Sequence, residues 1–109
     1  MTLTMQVYYT GKNGSALQFA KEMEDCGIAD KIRATHGNLA YTYYQSLSDP
    51  ETVLLVDTWL NQEALDLHHA SPRMQEILKM REKYQLTVRA ERYLSDQAGI
   101  PEQDKKFAD

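Results

Sequence analysis

The sequence predicts an α+β domain of the ferredoxin-like type, with the element order β-α-β-β-α-β and a four-stranded antiparallel sheet. Three observations favour this fold class. Four segments alternate between apolar and polar residues, as strands do. Segments of helical period lie between the first and second of these strands and between the third and fourth. The chain has 109 residues, which is room for a single core.

The first half of the chain carries the first strand and a broken helix. Leu3–Tyr9 alternates and predicts a strand. Ser15–Gln18 has the pattern of a capping box, in which the serine and glutamine side chains satisfy free backbone N–H groups, so a helix should begin there. Cys26-Gly27 interrupts the helical pattern, which then resumes up to a C-terminal cap at Gly37. The apolar face of this region comprises Ala16, Phe19, Ala20, Met23, Ile28, Ala29 and Ile32.

The second half begins with a predicted hairpin. Leu39–Leu47 is rich in tyrosine and alternates, so it predicts a strand. Ser48–Glu51 has turn chemistry, and Thr52–Leu60 follows as the next strand. Because the run Val53–Val56 is apolar on both faces, we expect both faces of this strand to be covered.

Two helical segments and a last strand complete the domain. Asn61 caps a short helix, and Ser71-Pro72 starts a second one, with proline at its first position. Leu86–Leu94 alternates again and predicts the fourth strand. The short helix carries Ala64, Leu65 and His68, and Met74, Ile77, Leu78, Arg81 and Tyr84 share a face of the second.

The chain divides into a domain at residues 1–94 and a polar C-terminal tail at residues 95–109. The tail has no core of its own, but Ile100, Pro101 and Phe107 are apolar anchors within it. We therefore expect the tail to pack on a partner subunit. The helices should cover only one face of the sheet, and apolar residues on its other face would stay exposed in a monomer. That face predicts a homodimer packed sheet against sheet.

Composition excludes several classes of protein. Apolar residues make up 42% and charged residues 26%, which is typical of globular domains. A net charge of −4 argues against a nucleic-acid partner. The sequence has neither a membrane-spanning apolar run nor the pattern of a signal peptide. Because Cys26 is the single cysteine, no internal disulfide can form, and we expect a cytoplasmic location.

Three stretches resemble the antibiotic biosynthesis monooxygenase family: Ile32–Tyr41, Val53–Trp59 and Glu63–Pro72. The resemblance covers about residues 3–94 and is sharpest at the acidic-x-Trp end of the third strand, followed nine residues later by histidine and then Ser-Pro. It implies a dimeric α/β barrel, related to the quinol monooxygenases. A small aromatic or quinol-like substrate is implied as well, with no cofactor. Relatives also include heme-degrading enzymes and sugar-phosphate isomerases, so the fold alone does not define the reaction.

The end of the third strand supplies the first site candidates. Trp59 matches the tryptophan that lines the pocket of the family's cofactor-free oxygenases, although a core or interface anchor is the commoner role of such a residue. Asp57 lies two residues earlier and should share the face of Trp59. It is a candidate catalytic base with a raised pKa, or alternatively the ion-pair partner of Arg89 or Arg92.

His68 is the second catalytic candidate, because it matches a family histidine and its side chain suits proton transfer near neutral pH. The alternative is a hydrogen-bonded histidine in the pocket wall. If His68 transferred the proton, replacement by glutamine should slow turnover at least about a hundredfold. His69 lies roughly 100° further around the helix, so we expect it to face solvent rather than the same site.

The remaining candidates bind substrate. Tyr41 and Tyr43, with Tyr44 beside them, supply phenols for an aromatic hydroxyl or quinone oxygen, or alternatively form part of a dimer interface. Leu55 stands where the family's polyketide oxygenases carry an asparagine, and Lys79 only loosely matches their basic residue. The complete mechanism of these polyketide oxygenases therefore cannot be assigned to this chain from the resemblance.

The sequence shows no motif for binding a metal ion or heme. One cysteine and three scattered histidines do not form a zinc motif, so we expect no metal site. In the heme-degrading relatives a histidine on the second helix binds the heme iron, and no residue of Met74–Lys79 matches it.

Three functions stay open. The first is a cofactor-independent monooxygenase acting on a quinol or polyphenol. The second is an isomerase or other proton-transfer enzyme, which would need a cationic group such as Lys79 or Arg81 in the pocket. The third is a non-catalytic ligand-binding dimer with a role in stress response, which a closed and fully packed core would favour.

Overall fold

The computed structural model describes residues 1–108. Strands and helices follow one another in the predicted order, with each of the two helical regions divided into two helices. The elements are β1 (Leu3–Thr10), α1 (Ser15–Asp25), α2 (Ile28–Arg33), β2 (Asn38–Gln45), β3 (Thr52–Trp59), α3 (Gln62–His69), α4 (Pro72–Lys83) and β4 (Thr87–Leu94).

The four strands form one antiparallel sheet in the order β2-β3-β1-β4. This architecture confirms the predicted α+β, ferredoxin-like fold. In the register of the sheet, Met5 of β1 lies opposite both Asp57 of β3 and Arg92 of β4. Tyr41 of β2 lies on the other side of Asp57. Residues at this level therefore form a row across the sheet, and the side chains of one row share a face.

All four α-helices pack on one face, which we call the covered face. Alternate residues of β1 and β3 point into it, as the strand period requires. Phe19 and Met23 of α1 and Ile32 of α2 are completely buried there. The other large buried residues of this core are Leu3, Tyr9, Tyr41, Val53, Leu55, Trp59, Leu65, Ile77, Met80 and Leu86.

The opposite face of the sheet, the open face, is more polar than predicted. Its centre is apolar, with Leu54 and Val56 of β3 half-buried between their neighbours. Threonines surround them and pair across strands, Thr4 with Thr58 at 2.8 Å and Thr10 with Thr52 at 2.9 Å between hydroxyl oxygens. The expected coverage of both faces of β3 is thus absent within residues 1–108, where residues 95–108 are all exposed.

The start of α1 does not use the predicted capping box. Gly14 is the N-cap, and no side chain caps the helix. The Ser15 hydroxyl instead accepts a hydrogen bond from the Lys12 backbone N–H, at 3.1 Å. The Glu51 carboxylate accepts the backbone N–H groups of Asn13 and Gly14, at 2.7 and 2.8 Å. This acceptor arrives from the β2–β3 hairpin, so a local motif could not reveal it.

The predicted interruption of the first helical region is confirmed at Gly27, which has φ 87° and separates α1 from α2. Gly37 follows α2 with φ 89°, a conformation that favours glycine. A Cβ atom on Gly37 would come within 2.6 Å of the Ala64 Cβ. The chain therefore needs glycine here to bring α3 close to the beginning of β2.

The C-terminal tail forms a short 3-10 helix, Glu102–Phe107, that adds nothing to the core. Ile100 is 52% and Phe107 79% exposed. Packing of the tail on a partner stays a prediction. Among residues 1–108, none of the helices has the length and apolar character needed to cross a membrane.

Candidate active site

A cavity of about 260 Å³ lies between the covered face and helices α3 and α4. All four strands contribute to its floor, and the end of α3 together with one side of α4 forms its roof. Most of the wall is apolar, from residues such as Met5, Val7, Leu55, Met74, Ile77, Val88 and Ala90. The polar groups in the wall are Tyr9, Tyr41, Asp57, His68, His69 and Arg81.

Strand period and helix period together assemble this cavity. Leu55 and Asp57 are two residues apart on β3, so both face the helices. On α4, Met74, Ile77 and Arg81 recur at helical spacing and line the roof. Leu78 of the same predicted face instead points outwards and is 40% exposed.

Asp57 is a buried carboxylate that forms no ion pair within residues 1–108. It is 6% exposed, and its Oδ1 atom has no hydrogen-bond partner within residues 1–108. The predicted ion pair with Arg89 or Arg92 is wrong. Arg89 points to the open face, where its guanidinium lies 4.0 Å from the centre of the Tyr8 ring, and Arg92 donates to Gln62. The strand alternation separates Arg89 from Asp57, because β4 residues opposite Tyr8 face away from the helices.

Burial raises the pKa of Asp57 from its ordinary value of 3.8 to about 7. The indole N–H of Trp59 acts in the opposite direction and lowers this pKa by a smaller amount. The contact between the Trp59 indole N–H and the Asp57 carboxylate does not meet hydrogen-bond geometry, because Trp59 Nε1 also has no hydrogen-bond partner within residues 1–108. A carboxylate with a pKa near 7 is partly ionised at neutral pH and can accept a proton there.

Trp59 and His68 form a stacked pair at the wall of the cavity. Their ring centres are 4.7 Å apart with 26° between the planes, and Trp59 is completely buried. His68 lines the cavity, whereas Trp59 supports it from behind. Burial, with a smaller contribution from the neighbouring His69, lowers the pKa of His68 to about 4. The His68 ring is therefore neutral at physiological pH.

His69 does not follow the prediction that it faces away from the site. It is exposed, yet it lines the same cavity, and its ring centre is 5.8 Å from that of His68. Helix α3 ends at His69, and the cavity is wide enough to touch two sides of this last turn. Two residues that are 100° apart around a helix can therefore both line one cavity when the cavity is wide.

Two of the predicted tyrosines lie on the covered face. Tyr41 lines the cavity, and Tyr43 lies behind it with the two hydroxyl oxygens 3.2 Å apart. Both therefore lie on the face opposite the one predicted to form the dimer interface, whereas Tyr44 is on the open face and 53% exposed. Burial raises the pKa of Tyr41 and of Tyr43, so both stay protonated.

Arg81 and Tyr9 are cavity residues that the sequence did not single out for binding aromatic substrates. Arg81 lines the cavity, and Lys79, the looser match, is exposed and outside it. Burial raises the pKa of Tyr9 to about 12, and the Arg81 charge lowers it by less. The alternation Met5, Val7, Tyr9 could have identified Tyr9, since all three share one face of β1.

A family model described as antibiotic biosynthesis monooxygenase matches residues 2–80. A comparison with curated protein sequences finds no match. Solved structures do match. A candidate antibiotic biosynthesis monooxygenase from Deinococcus radiodurans is 20% identical, with a TM-score of 0.77, covering 93% of this chain and 98% of that one.

Two other solved structures share the fold. A conserved protein from Methanosarcina mazei is 18% identical with a TM-score of 0.76, and covers 88% of this chain and 94% of its own. SnoaB from Streptomyces nogalater, a cofactor-independent oxygenase, is 16% identical with a TM-score of 0.73, and covers 93% of this chain and 98% of its own. At these identities the structural matches establish the fold and not the reaction.

Proposed function

The chain belongs to the antibiotic biosynthesis monooxygenase family, and from this membership and the cavity we propose that it is a cofactor-independent monooxygenase. Its substrate would be a small quinol or phenol. The observation that carries the proposal is Asp57, a buried carboxylate in the wall of an apolar cavity, with one oxygen that has no hydrogen-bond partner in the described part of the chain. Burial of such a carboxylate lowers the stability of the fold, and a destabilising group of this kind is expected where it has a catalytic role.

In the proposed reaction Asp57 accepts the proton of an aromatic hydroxyl. The resulting anion passes one electron to dioxygen, and the superoxide formed bonds to a ring carbon. The proton returns to the distal oxygen and gives a hydroperoxide. The O–O bond then breaks while the hydrogen on the same ring carbon leaves as a proton, so that the hydroxide and this proton form water and the carbon becomes a carbonyl of the quinone. One oxygen atom of dioxygen enters the product and the other enters water, while the ring supplies four electrons. The protein positions the ring and moves the proton.

The other polar groups would hold the substrate. Tyr41 and Tyr9 stay protonated, so their hydroxyls can donate hydrogen bonds to a substrate oxygen. His68 is neutral and stacked on Trp59, which suits a rigid wall better than a proton carrier. We therefore assign proton transfer to Asp57 and substrate positioning to His68, with Trp59 and Tyr43 behind the wall and Leu55 in the floor.

We propose that the functional unit is a homodimer. The open face presents Leu54 and Val56 at its centre and exposed tyrosines at its edges, Tyr44 at 53% and Tyr93 at 47%. A second copy on this face would bury these groups, and a stable interface needs about 1,600 Å² in total. The free, exposed thiol of Cys26 fits the reducing cytoplasm as the place of action.

A proton-transfer enzyme or isomerase is the second candidate, because Arg81 provides the cationic cavity group that this function requires. Such an enzyme would act on a small anionic metabolite and would use Asp57 as the base. It would exchange a substrate C–H with solvent and consume no dioxygen.

Oxygen consumption tests the proposal. The purified protein is mixed with menadiol and a panel of other quinols and naphthols, and an electrode follows dissolved oxygen against the spontaneous rate. We expect faster consumption with at least one member and a product that carries one atom from ¹⁸O₂. Absence of catalysed consumption across the panel, together with deuterium exchange into an anionic metabolite, would overturn the oxygenase in favour of the isomerase.

A further inference from the structure

We infer that the cavity selects aromatic hydroxy acids whose hydroxyl and anionic group lie at opposite ends of the ring system, with Arg81 binding the anionic group. This inference rests on the proposed function, since it names the substrate class for the same cavity. It concerns recognition rather than proton transfer, so its test is a binding measurement.

The two charged side chains of the cavity lie at opposite ends. Asp57 is opposite Met5 in the sheet, whereas Tyr9 is opposite Val53, four residues further along. At a rise of about 3.3 Å per residue, four residues correspond to about 13 Å along the strands. The Asp57 end is also the end at which Trp59 stacks on His68.

Helix α4 carries Arg81 towards the Tyr9 end. Its C-terminus at Lys83 leads within a few residues into β4, which begins opposite Thr10. Arg81 is in the last turn and therefore lies near Tyr9, and the pKa of Tyr9 responds to the charges of both Arg81 and Asp57. The Tyr9 hydroxyl is thus close enough to respond to both the Asp57 carboxylate and the Arg81 guanidinium.

The Arg81 guanidinium is available for a ligand. Within residues 1–108 it forms no ion pair, whereas two other cations of α4 do: Arg73 with Glu76 at 2.6 Å and Lys83 with Glu22 at 2.8 Å. A partly buried guanidinium binds carboxylates well, because it offers a planar pair of donors and is weakly hydrated.

The wall between the Asp57 end and the Arg81 end is apolar, and the cavity is small. Val7, Leu55, Ile77 and Val88 line it, which suits an aromatic body. A volume of about 260 Å³ is close to the lower limit of about 300 Å³ for small-molecule pockets. One or two rings therefore fit, with a hydroxyl at Asp57 and a carboxylate at Arg81.

Titration calorimetry with three probes tests this inference. In 6-hydroxy-2-naphthoate the two groups are at opposite ends, in 3-hydroxy-2-naphthoate they are adjacent, and 2-naphthol lacks the carboxylate. A charge-assisted hydrogen bond is worth about 1.5–3 kcal/mol, so we expect the first probe to bind at least about tenfold more tightly than the other two.

Variants assign the preference to Arg81. Arg81→Gln should reduce binding of 6-hydroxy-2-naphthoate to the level of 2-naphthol, and Arg81→Lys should retain part of the difference. Lys79→Gln is the matched control, because Lys79 is on the same helix but exposed, and it should bind like the wild type.

Equal affinity of the wild type for the three probes would overturn the inference, even if the variants fail to fold. An unchanged preference in Arg81→Gln would overturn the assignment to Arg81. Failure of this inference is distinct from failure of the oxygenase. Oxygen uptake with neutral quinols and no preference for acids would remove only the inference, and acid binding without oxygen uptake would remove only the oxygenase.

Discussion

The two faces of the sheet differ in whether the polar side chains on them have hydrogen-bond partners. On the covered face, Asp57 and Trp59 are buried with polar atoms that find no hydrogen-bond partner within residues 1–108. On the open face, hydroxyls pair with each other across the strands, as Thr4 does with Thr58. The covered face holds the candidate site, and the open face has its apolar residues Leu54 and Val56 at the centre.

From this difference we expect catalysis on the covered face and dimer formation on the open face. A polar atom without a partner is unfavourable in a buried site and becomes favourable only when a substrate supplies the missing hydrogen bond. A face with its hydrogen bonds satisfied and its apolar centre exposed gains most from a second copy. Changes on the covered face should therefore affect turnover, and changes on the open face should affect association.

The largest effect should come from Asp57→Asn, which removes the proton acceptor but keeps the volume of the side chain. We expect turnover to fall at least about a hundredfold. In the wild type, turnover should rise with pH through about 7, because Asp57 must be ionised to accept a proton. Asp25→Asn is the matched control, since Asp25 is exposed on α1, and it should keep the wild-type rate and pH profile. Rapid turnover by Asp57→Asn would place the base elsewhere.

Val56→Lys should break the assembly while leaving the cavity intact. Val56 is half-buried on the open face, and a lysine there would place a charge in the centre of the proposed interface. Light scattering should then report the chain mass of 12.5 kDa instead of about twice that value. Leu47→Lys is the control, because Leu47 is fully exposed in the β2–β3 hairpin and lies outside both faces. A wild type that is monomeric at micromolar concentration would refute the dimer itself.

Asp57→Asn should also stabilise the fold at pH 8. The folded-state pKa of Asp57 lies above the ordinary value, so stability is present at low pH and is lost as pH rises from about 4 to about 7. The interval from 3.8 to about 7 corresponds to at most about 4 kcal/mol at 1.36 kcal/mol per pH unit. Urea unfolding should show the variant more stable than wild type at pH 8 and little different at pH 4. A variant that is less stable at pH 8 would contradict a buried, unpaired carboxylate.

His68→Gln should have a small effect on turnover, less than about tenfold, because His68 is neutral and forms part of the wall. Its folded-state pKa is depressed, so the wild type should lose stability as pH falls from about 6.5 to about 4, and the variant should lack this contribution. Rate measurements and urea unfolding across this pH range check both points. A loss of a hundredfold or more would return proton transfer to His68, as the sequence first suggested.

Removal of the tail after Leu94 should have the smallest effect. If Ile100 and Phe107 pack on a partner subunit, the truncated dimer should melt a few degrees lower than the full chain. The same truncation in the Val56→Lys variant should change nothing, because a monomer offers no partner. An unchanged melting temperature of the truncated dimer would show that the tail does not contribute to assembly.

The sequence alone determined the order of the elements and the placement of Asp57. Alternation and helical period are local properties, so they predicted all four strands and put Asp57 and Trp59 on the same face. The family resemblance rested on the same segments, Val53–Trp59 above all, and the family model confirms it.

Only the tertiary structure decided which groups are paired. The register between β1 and β4 puts Arg89 on the face opposite Asp57, whereas Arg92 lies in the row of Asp57 but donates to Gln62 of α3 instead. The hydrogen bonds from the backbone of Asn13 and Gly14, just before α1, to Glu51 and the place of His69 in the cavity also depend on elements far apart in sequence. Burial sets the pKa values of Asp57 and His68, and burial is a property of the packed chain that no local pattern contains.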